Sequence, residues 1–373
     1  MSGSLGVMLL TTAENWRGSG TSYAKLARGL SQRGHRVELV VSSGLVAAEY
    51  ARLDIPVRQL TLERTGAREV LSLLAVARAN GTDIVIVDKP RDLRLAAWMS
   101  MVRRLHVVIR YNRVGKRRAA RFVDRWTAAR ASAALYQNEY IRAKALEELP
   151  ILEDLRSFVI PNGYDANEIA VEPGADARWR ESQGIAPGDV VVISVGFAES
   201  EKRFDLSVDA MRLLASRGVD ATFVFCGDGP CRASLQERAR AAGVKARWLG
   251  IQSPRDTLTA IAAANVLAHP CPVEIFGNVL AEAMALRTPI IAMRAGGNTE
   301  MLGADGSAAI LVDDERPESF ADGIAELCAN GERGRTLAAA ARARLIEVFP
   351  LARMIDAYDG MMQTLVGSAA VRE

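Results

Sequence analysis

Short apolar runs recur along the whole chain, separated by stretches with helical spacing, and this alternation constrains the fold more than any other feature. The first run is Gly6 to Thr11. Gly18-Ser19-Gly20 breaks it, and Thr21 to Arg33 carries helical spacing through Tyr23, Leu26, Ala27 and Leu30. Gly34 ends that helix, and Arg36 to Ser42 is the next strand. Further runs follow at 84–87, 107–109, 133–136 and 158–160. Strands joined by helical crossovers pair in parallel, so the pattern predicts a parallel sheet flanked by helices.

Pro161-Asn162-Gly163 interrupts the alternation. Residues 164–189, with Pro173, Gly174, Gly184, Pro187 and Gly188, have weak periodicity and read as a linker containing a short helix. The alternation then restarts, with strand candidates at 190–195, 221–225, 246–249, 266–268, 289–293 and 308–312. A chain of 373 residues is too long for one ordinary core. The expected fold is therefore α/β, with two Rossmann-like doubly wound domains at 1–163 and 190–348. Their ligand sites, at the carboxyl ends of the strands, would face a central cleft. A last helix, about 351–366, is expected to pack back on the first domain.

Composition excludes several classes. No run approaches the ~20 apolar residues that cross a bilayer, and the opening MSGSLGVMLLTTAENW lacks the basic segment of a signal peptide. The cysteines are Cys226, Cys231, Cys271 and Cys328, and the histidines are His35, His106 and His269. No spacing among them completes a zinc set, so no metal is expected and the cysteines suit a reduced cytoplasm. Formal charge is uneven: residues 1–150 hold 25 Lys+Arg against 13 Asp+Glu, and the remainder 22 against 31. The first half is thus suited to an anionic surface or ligand.

The most informative segment is Pro270-Cys271-Pro272-Val273-Glu274-Ile275-Phe276-Gly277-Asn278-Val279-Leu280-Ala281-Glu282. It follows a short buried strand and enters a helix at Asn278. Glu274 on the loop and Glu282 on the helix can accept hydrogen bonds from hydroxyls at two ends of one ligand. The N–H groups of Gly277, Asn278 and Val279 lie between them at a helix N-terminus, where a diphosphate is favoured. An isolated loop carboxylate beside a solvated helix Glu fits the spacing equally well.

The stretch resembles the E-x7-E motif of glycosyltransferase family 4, retaining enzymes of GT-B fold. The fixed positions Glu274, Phe276, Gly277, Glu282, Ala283, Met284 and Ala285 are all present. By that resemblance Glu282 binds the nucleotide ribose and Glu274 contacts the transferred sugar, while the backbone from Phe276 to Val279 meets the sugar and diphosphate. Other stretches agree in order. Val195-Gly196-Phe197 with Lys202-Arg203-Phe204-Asp205 is similar to V-G-R-L followed by K-G-x-D. Gly227-Asp228-Gly229-Pro230 resembles G-x-G-P, Trp248-Leu249-Gly250 the strand before the base-binding loop, and Gly296 to Glu300 the G-G-x-x-E loop. Gly18, Gly20 and Arg33-Gly34-His35 match the amino-terminal glycine loop and strand entry.

The resemblance implies a nucleotide-diphosphate sugar as donor substrate, no cofactor, a first domain that binds the acceptor and a second that binds the donor. Lys202, on the loop leaving the first strand of the second domain, is the residue best suited to neutralise the diphosphate. Two departures stand out. Phe197 occupies the place of the family's arginine, leaving the adjacent Arg203 as its substitute. The usual strand-end histidine of the first domain is absent from Val107 to Arg113, where Arg110, Tyr111 and Asn112 stand instead, while His106 is at the strand's start. His35 and His269 read as packed residues.

Residues 101–130 contain ten Lys+Arg and one acid, Asp124. At 100° per residue, Arg117, Arg118, Arg121 and Arg125 fill one arc of a helix, and Ala119, Phe122, Val123 and Trp126 the next. This predicts contact with an anionic membrane surface or an acidic acceptor. It fits a peripheral enzyme at the cytoplasmic face of the membrane, acting on a lipid-linked or cell-envelope glycan. An ordinary domain helix with solvated arginines is the plainer reading, and nucleic acid is not indicated. The rival functions are a sugar-nucleotide epimerase or phosphorylase of the same fold, and a non-catalytic binding protein.

Overall fold

The computed structural model describes residues 3–16, 18–113 and 115–370, with side chains as far as 367. The chain divides into two compact units, Met1–Gly163 with Leu351–Glu373, and Tyr164–Pro350.

The first unit holds a parallel seven-stranded sheet of β1 (Gly6–Thr11), β2 (Arg36–Val41), β3 (Arg58–Gln59), β4 (Thr82–Val87), β5 (His106–Tyr111), β6 (Ala133–Tyr136) and β7 (Arg156–Val159). Their order is β3-β2-β1-β4-β5-β6-β7, so the direction of winding reverses between β1 and β4. The second unit holds a parallel six-stranded sheet of β8 (Val190–Val195), β9 (Ala221–Cys226), β10 (Ala246–Gly250), β11 (Val266–His269), β12 (Ile290–Met293) and β13 (Ile310–Val312). The order β10-β9-β8-β11-β12-β13 reverses between β8 and β11. Both are the doubly wound arrangement predicted from the alternation.

The central strands are covered on both faces, which is why they read as continuous apolar runs. In β1, Val7 and Leu9 enter one core cluster and Met8 and Leu10 the opposite one. In the second unit, Ile193 and Val224 lie on one face and Val192, Phe223 and Phe225 on the other. Each such side chain contributes about 1.5–3 kcal/mol by leaving water. The helix Leu351–Ala370 brings Ile355, Tyr358 and Met362 into the first unit's core beside Tyr23 and Leu26 of the helix Gly18–Gln32.

Three expectations are corrected. Residues 164–189 are not a free linker: Tyr164, Ala166 and Ile185 are buried in the core of the second unit. Their weak periodicity reflects single anchoring residues. Gly18 and Gly20 do not form a turn before the first helix but occupy its first turn. Lastly, Arg117, Arg118, Arg121 and Arg125 do not share a helical arc, because the helix spans only Phe122–Ala128. Asp124 caps its N-terminus, accepting the Arg121 N–H at 2.9 Å and the Arg118 guanidinium at 2.6 Å. These contacts, Arg118 foremost, hold the Asp124 carboxyl down to about 2. Arg118 also lies 3.8 Å from Glu148, so it is committed to the fold.

Candidate active site

At the carboxyl end of the second sheet, the loop after β8 is laid directly on the loop after β9. Gly196 N–H donates to the Cys226 carbonyl and Ala198 N–H to the Asp228 carbonyl. Gly227 permits the approach: at φ +144° a Cβ there would lie 1.9 Å from the Gly196 carbonyl oxygen. The stitched loop continues into the turn Ser200–Lys202 and the helix Phe204–Ser216. It thereby fixes the root of Lys202.

Glu274 is presented by the loop after β11. The second glycine loop clamps its backbone, since Gly297 N–H donates to the Glu274 carbonyl at 2.8 Å. Buried Asn298 donates to the carbonyls of Cys271 and Met293. The Glu274 carboxylate is itself nearly buried, 9% exposed, and is fully engaged. Oε1 accepts the N–H groups of Ile275 at 3.1 Å and Gly277 at 3.2 Å. Oε2 contacts Lys202 Nζ at 2.7 Å and His269 Nε2 at 3.2 Å. Burial alone would raise this carboxyl. The His269 hydrogen bond and the Lys202 charge reverse that and hold it well below the usual carboxylate range. Burial pulls the Lys202 ammonium down, but Glu274 and the nearby Cys271 thiol leave it above its ordinary value.

Gly277 stands at φ +73°, where L side chains are strained, and a Cβ would also meet Leu280 at 2.8 Å. That conformation turns the chain into the helix Asn278–Leu286. Of the three N–H groups expected to be free here, two are. Gly277 N–H is taken by Glu274, and among the described residues those of Asn278 and Val279 have no acceptor in the chain. The Asn278 side chain accepts from the Tyr164 hydroxyl at 2.6 Å. Phe276 is buried, stacked on Tyr164 and edge-on to Phe349, so only its backbone is available to a ligand. Glu282 is half-buried, about one turn beyond Asn278. Burial chiefly, and the Glu282 charge in smaller part, push the Cys226 thiol at the end of β9 up to about 11.

Arg203, the expected substitute for the missing clamp, adopts φ +53°, and its guanidinium pairs with Asp205 and Glu315. Phe197 is 45% exposed at the loop where the family's arginine was expected.

His269, which read as a packed residue, is indeed buried, but it also supports Glu274. With Cys271 and Glu274 it forms a group of three potential metal ligands, all within 4.8 Å of one another. No Cys/His spacing signalled this group, because the third member, Glu274, is a carboxylate; His269 ends β11, and Cys271 and Glu274 stand on the loop that follows.

The first unit carries a polar cluster at the carboxyl ends of β1, β4 and β5. Arg110 is fully buried over the Tyr23 ring and donates to Ser22 Oγ at 2.7 Å and Asn162 Oδ1 at 3.1 Å. Tyr111 is buried and donates to Glu148. Asn112 donates to Asp88 Oδ2 at 3.3 Å. Asp88 and Asp92 were not singled out from sequence, though each follows the apolar run of β4 within a turn. Burial raises both carboxyls, and the Asp88 charge helps push Asp92 up to about 8. Trp16, Tyr23, Tyr50, Asn15, Gly20 and Asp88 line a small cavity of about 10 Å³. Gly20 therefore meets that cavity, and Gly18 opens the helix. His35 is structural: its Nδ1 accepts the Leu5 N–H. His106 sits at the start of β5.

Two doubly wound α/β units, with a carboxylate–lysine pair at a helix N-terminus of the second, define a GT-B glycosyltransferase. The model for Glycosyl transferases group 1 matches residues 175–344, and that for Glycosyltransferase Family 4 matches residues 16–168. The chain belongs to glycosyltransferase family 4. It is 28% identical over 341 residues, 87% of each chain, to the GDP-mannose-dependent alpha-(1-6)-phosphatidylinositol dimannoside mannosyltransferase of Mycobacterium tuberculosis. It is 32% identical over 236 residues to the D-inositol 3-phosphate glycosyltransferase of Rhodococcus erythropolis, covering 60% of this chain and 52% of that one. The fold matches Anabaena HepE in complex with UDP and glucose at a TM-score of 0.83, with 19% identity, over 96% of this chain and 99% of that one. WaaG, a glycosyltransferase involved in lipopolysaccharide biosynthesis, matches at 0.70 with 17% identity, over 95% and 99%. The reaction is transfer of a sugar from a nucleotide-diphosphate donor to an acceptor hydroxyl.

Proposed function

We propose that this chain transfers mannose from GDP-mannose, with retention and without a metal ion, to a lipid-linked polyol at an anionic membrane surface. The observation that carries the donor site is the Lys202–Glu274 pair beside the Asn278 and Val279 N–H groups. An ionised carboxylate accepts about four hydrogen bonds, and Glu274 already has four. A sugar hydroxyl gains Oε2 only when a partner leaves. Lys202 is the partner that can, since a diphosphate offers its ammonium a stronger anion. Donor binding thus shifts Lys202 onto the diphosphate and frees Glu274 for the sugar, while Glu282 takes the ribose.

In the chemical step the bond from the anomeric carbon to the leaving phosphate oxygen breaks. The acceptor oxygen bonds to the same face of that carbon, and its proton passes to the departing diphosphate. Lys202 and the helix N–H groups meet the charge that a metal would otherwise neutralise. GDP-mannose is the first donor to test because two of the similar proteins are mannosyltransferases that depend on it.

The acceptor reading rests on a patch different from the predicted arginine arc. Trp98, Met101 and Val102 share one face of the helix Pro90–Val102 and are 44%, 55% and 66% exposed. Trp98 meets Trp126 at 4.8 Å, and Phe122 on the same short helix as Trp126 is 82% exposed. Arg117, Arg121 and Arg125 are exposed nearby in sequence. Exposed aromatics among arginines suit the interface of an anionic leaflet. No described helix is long and apolar enough to cross the membrane. A nucleotide-sugar donor supports a reaction at the cytoplasmic face.

The test is transfer from labelled GDP-mannose and UDP-glucose to a phosphatidylinositol mannoside, with the product's anomeric configuration read by NMR. An α-mannoside formed in EDTA supports the proposal. A β-product, transfer only from UDP-glucose, or loss of activity in EDTA would each refute its corresponding part.

A further inference from the structure

The loop from His269 to Glu274 has a property that sugar transfer does not use. His269 and Cys271 are fully buried and Glu274 nearly so. Their donor atoms lie within 4.8 Å of one another, and His269 Nε2 is 3.2 Å from Glu274 Oε2. Tetrahedral zinc with nitrogen, sulfur and oxygen ligands separates them by about 3.3–3.6 Å. The His–Glu edge already has that spacing, and the thiol lies within 4.8 Å of both donor atoms.

A cation is present at this place: the Lys202 ammonium, in contact with Glu274 and with the Cys271 thiol. The Lys202 side chain is 28% exposed, so the position it holds is reached from solvent. We propose that His269, Cys271 and Glu274 form an inhibitory site for a thiophilic divalent cation such as Zn²⁺, which displaces the Lys202 ammonium. Imidazole and thiolate select a borderline-soft metal over Mg²⁺ or Ca²⁺, which prefer oxygen. On binding, the Cys271 sulfur–hydrogen bond breaks, the sulfur's electron pair goes to the metal and the proton to solvent. Lys202 swings out with its charge intact. The metal then ties up Glu274 and blocks the Lys202–Glu274 exchange on which the donor reading rests.

The test is a titration of the intact protein with Co²⁺, following the thiolate-to-cobalt charge-transfer absorption, with Zn²⁺ as competitor. It needs neither donor nor acceptor, so it stands or falls apart from the transferase reading. One equivalent should give the band. Cys271→Ser should remove it and weaken Zn²⁺ binding by at least the ~10–100-fold that losing an outer-shell partner costs. Lys202→Met, lacking the competing ammonium, should bind Zn²⁺ more tightly than wild type. If Cys271→Ser fails to fold by thermal melt, His269→Gln serves as the second ligand deletion. Absence of the band in wild type, or undiminished Zn²⁺ affinity in a folded ligand variant, overturns the site. Undiminished sugar transfer at saturating Zn²⁺ overturns its inhibitory role.

Discussion

Lys202 Nζ lies 2.7 Å from Glu274 Oε2, although the two residues come from loops after different strands, β8 and β11, which are neighbours in the sheet. The doubly wound topology makes these strands adjacent at the point where the winding reverses, and ligands bind there in such sheets. In the proposed donor site the pair would join the diphosphate end of the donor to its sugar end.

Removing the cation should hurt both stability and catalysis. Lys202→Ala leaves a nearly buried carboxylate with three neutral or weak partners. We expect a loss of up to about 3 kcal/mol of stability and about 10²–10³ in kcat. Chemical denaturation and steady-state transfer read the two effects separately. Lys202→Arg, which keeps the charge but not the shape, should recover the stability more than the rate.

Arg203 should behave oppositely to its neighbour. Its guanidinium is spent on Asp205 and Glu315 at a partly exposed position. Arg203→Ala should therefore keep donor KM within about threefold and cost no more than about 1 kcal/mol. Steady-state kinetics against donor concentration checks this, and a loss comparable to that of Lys202→Ala would return Arg203 to the diphosphate.

Much of this was legible in the sequence, because it depends on local rules. Buried parallel strands read as nearly continuous apolar runs, as Ala133–Tyr136 does throughout and Val190–Val195 at every position but Ser194. The spacing of Glu274 and Glu282 carries its meaning within a dozen residues. What sequence could not give is tertiary. Arg118 and Arg121 fit a helical wheel, yet Asp124 captures both and starts the helix one residue after Arg121. The partners of His269 and Arg203 are fixed by folding of the loops. Asp88 and Asp92 acquire their properties only through burial, which no spacing records.

Asp92 gives a pH signature. Its carboxyl titrates near 8 in the fold, raised by burial and by Asp88, and near the ordinary carboxylate value when unfolded. Between roughly pH 4 and 8 the folded state holds the extra proton, so this group's contribution makes stability fall as pH rises, by up to about 1.4 kcal/mol per pH unit. Asp92→Asn should flatten that slope and gain stability at pH 8 relative to wild type. Urea midpoints from pH 5 to 8.5 measure it. An unchanged slope would mean that Asp92 is ionised in the fold.

The membrane patch predicts a division of labour among neighbours. Phe122→Ser with Trp98→Ser should weaken sedimentation with anionic vesicles, and so should Arg117, Arg121 and Arg125 changed together to Glu. Arg118→Ala should act on stability instead, because its partners are Asp124 and Glu148. Equal vesicle binding by all of them would remove this surface from the acceptor account.

The most direct measurement is a thermal-shift series of wild type, Lys202→Ala and Glu282→Ala against GDP, GDP-mannose, UDP and UDP-glucose. A ligand at a hundred times its Kd stabilises the folded state by about 2.7 kcal/mol. We predict a rise in wild-type Tm with the guanine nucleotides, reduced in Lys202→Ala and lost in Glu282→Ala. No shift with any nucleotide, or a shift undiminished in both variants, would contradict a donor site at the N-terminus of the Asn278–Leu286 helix.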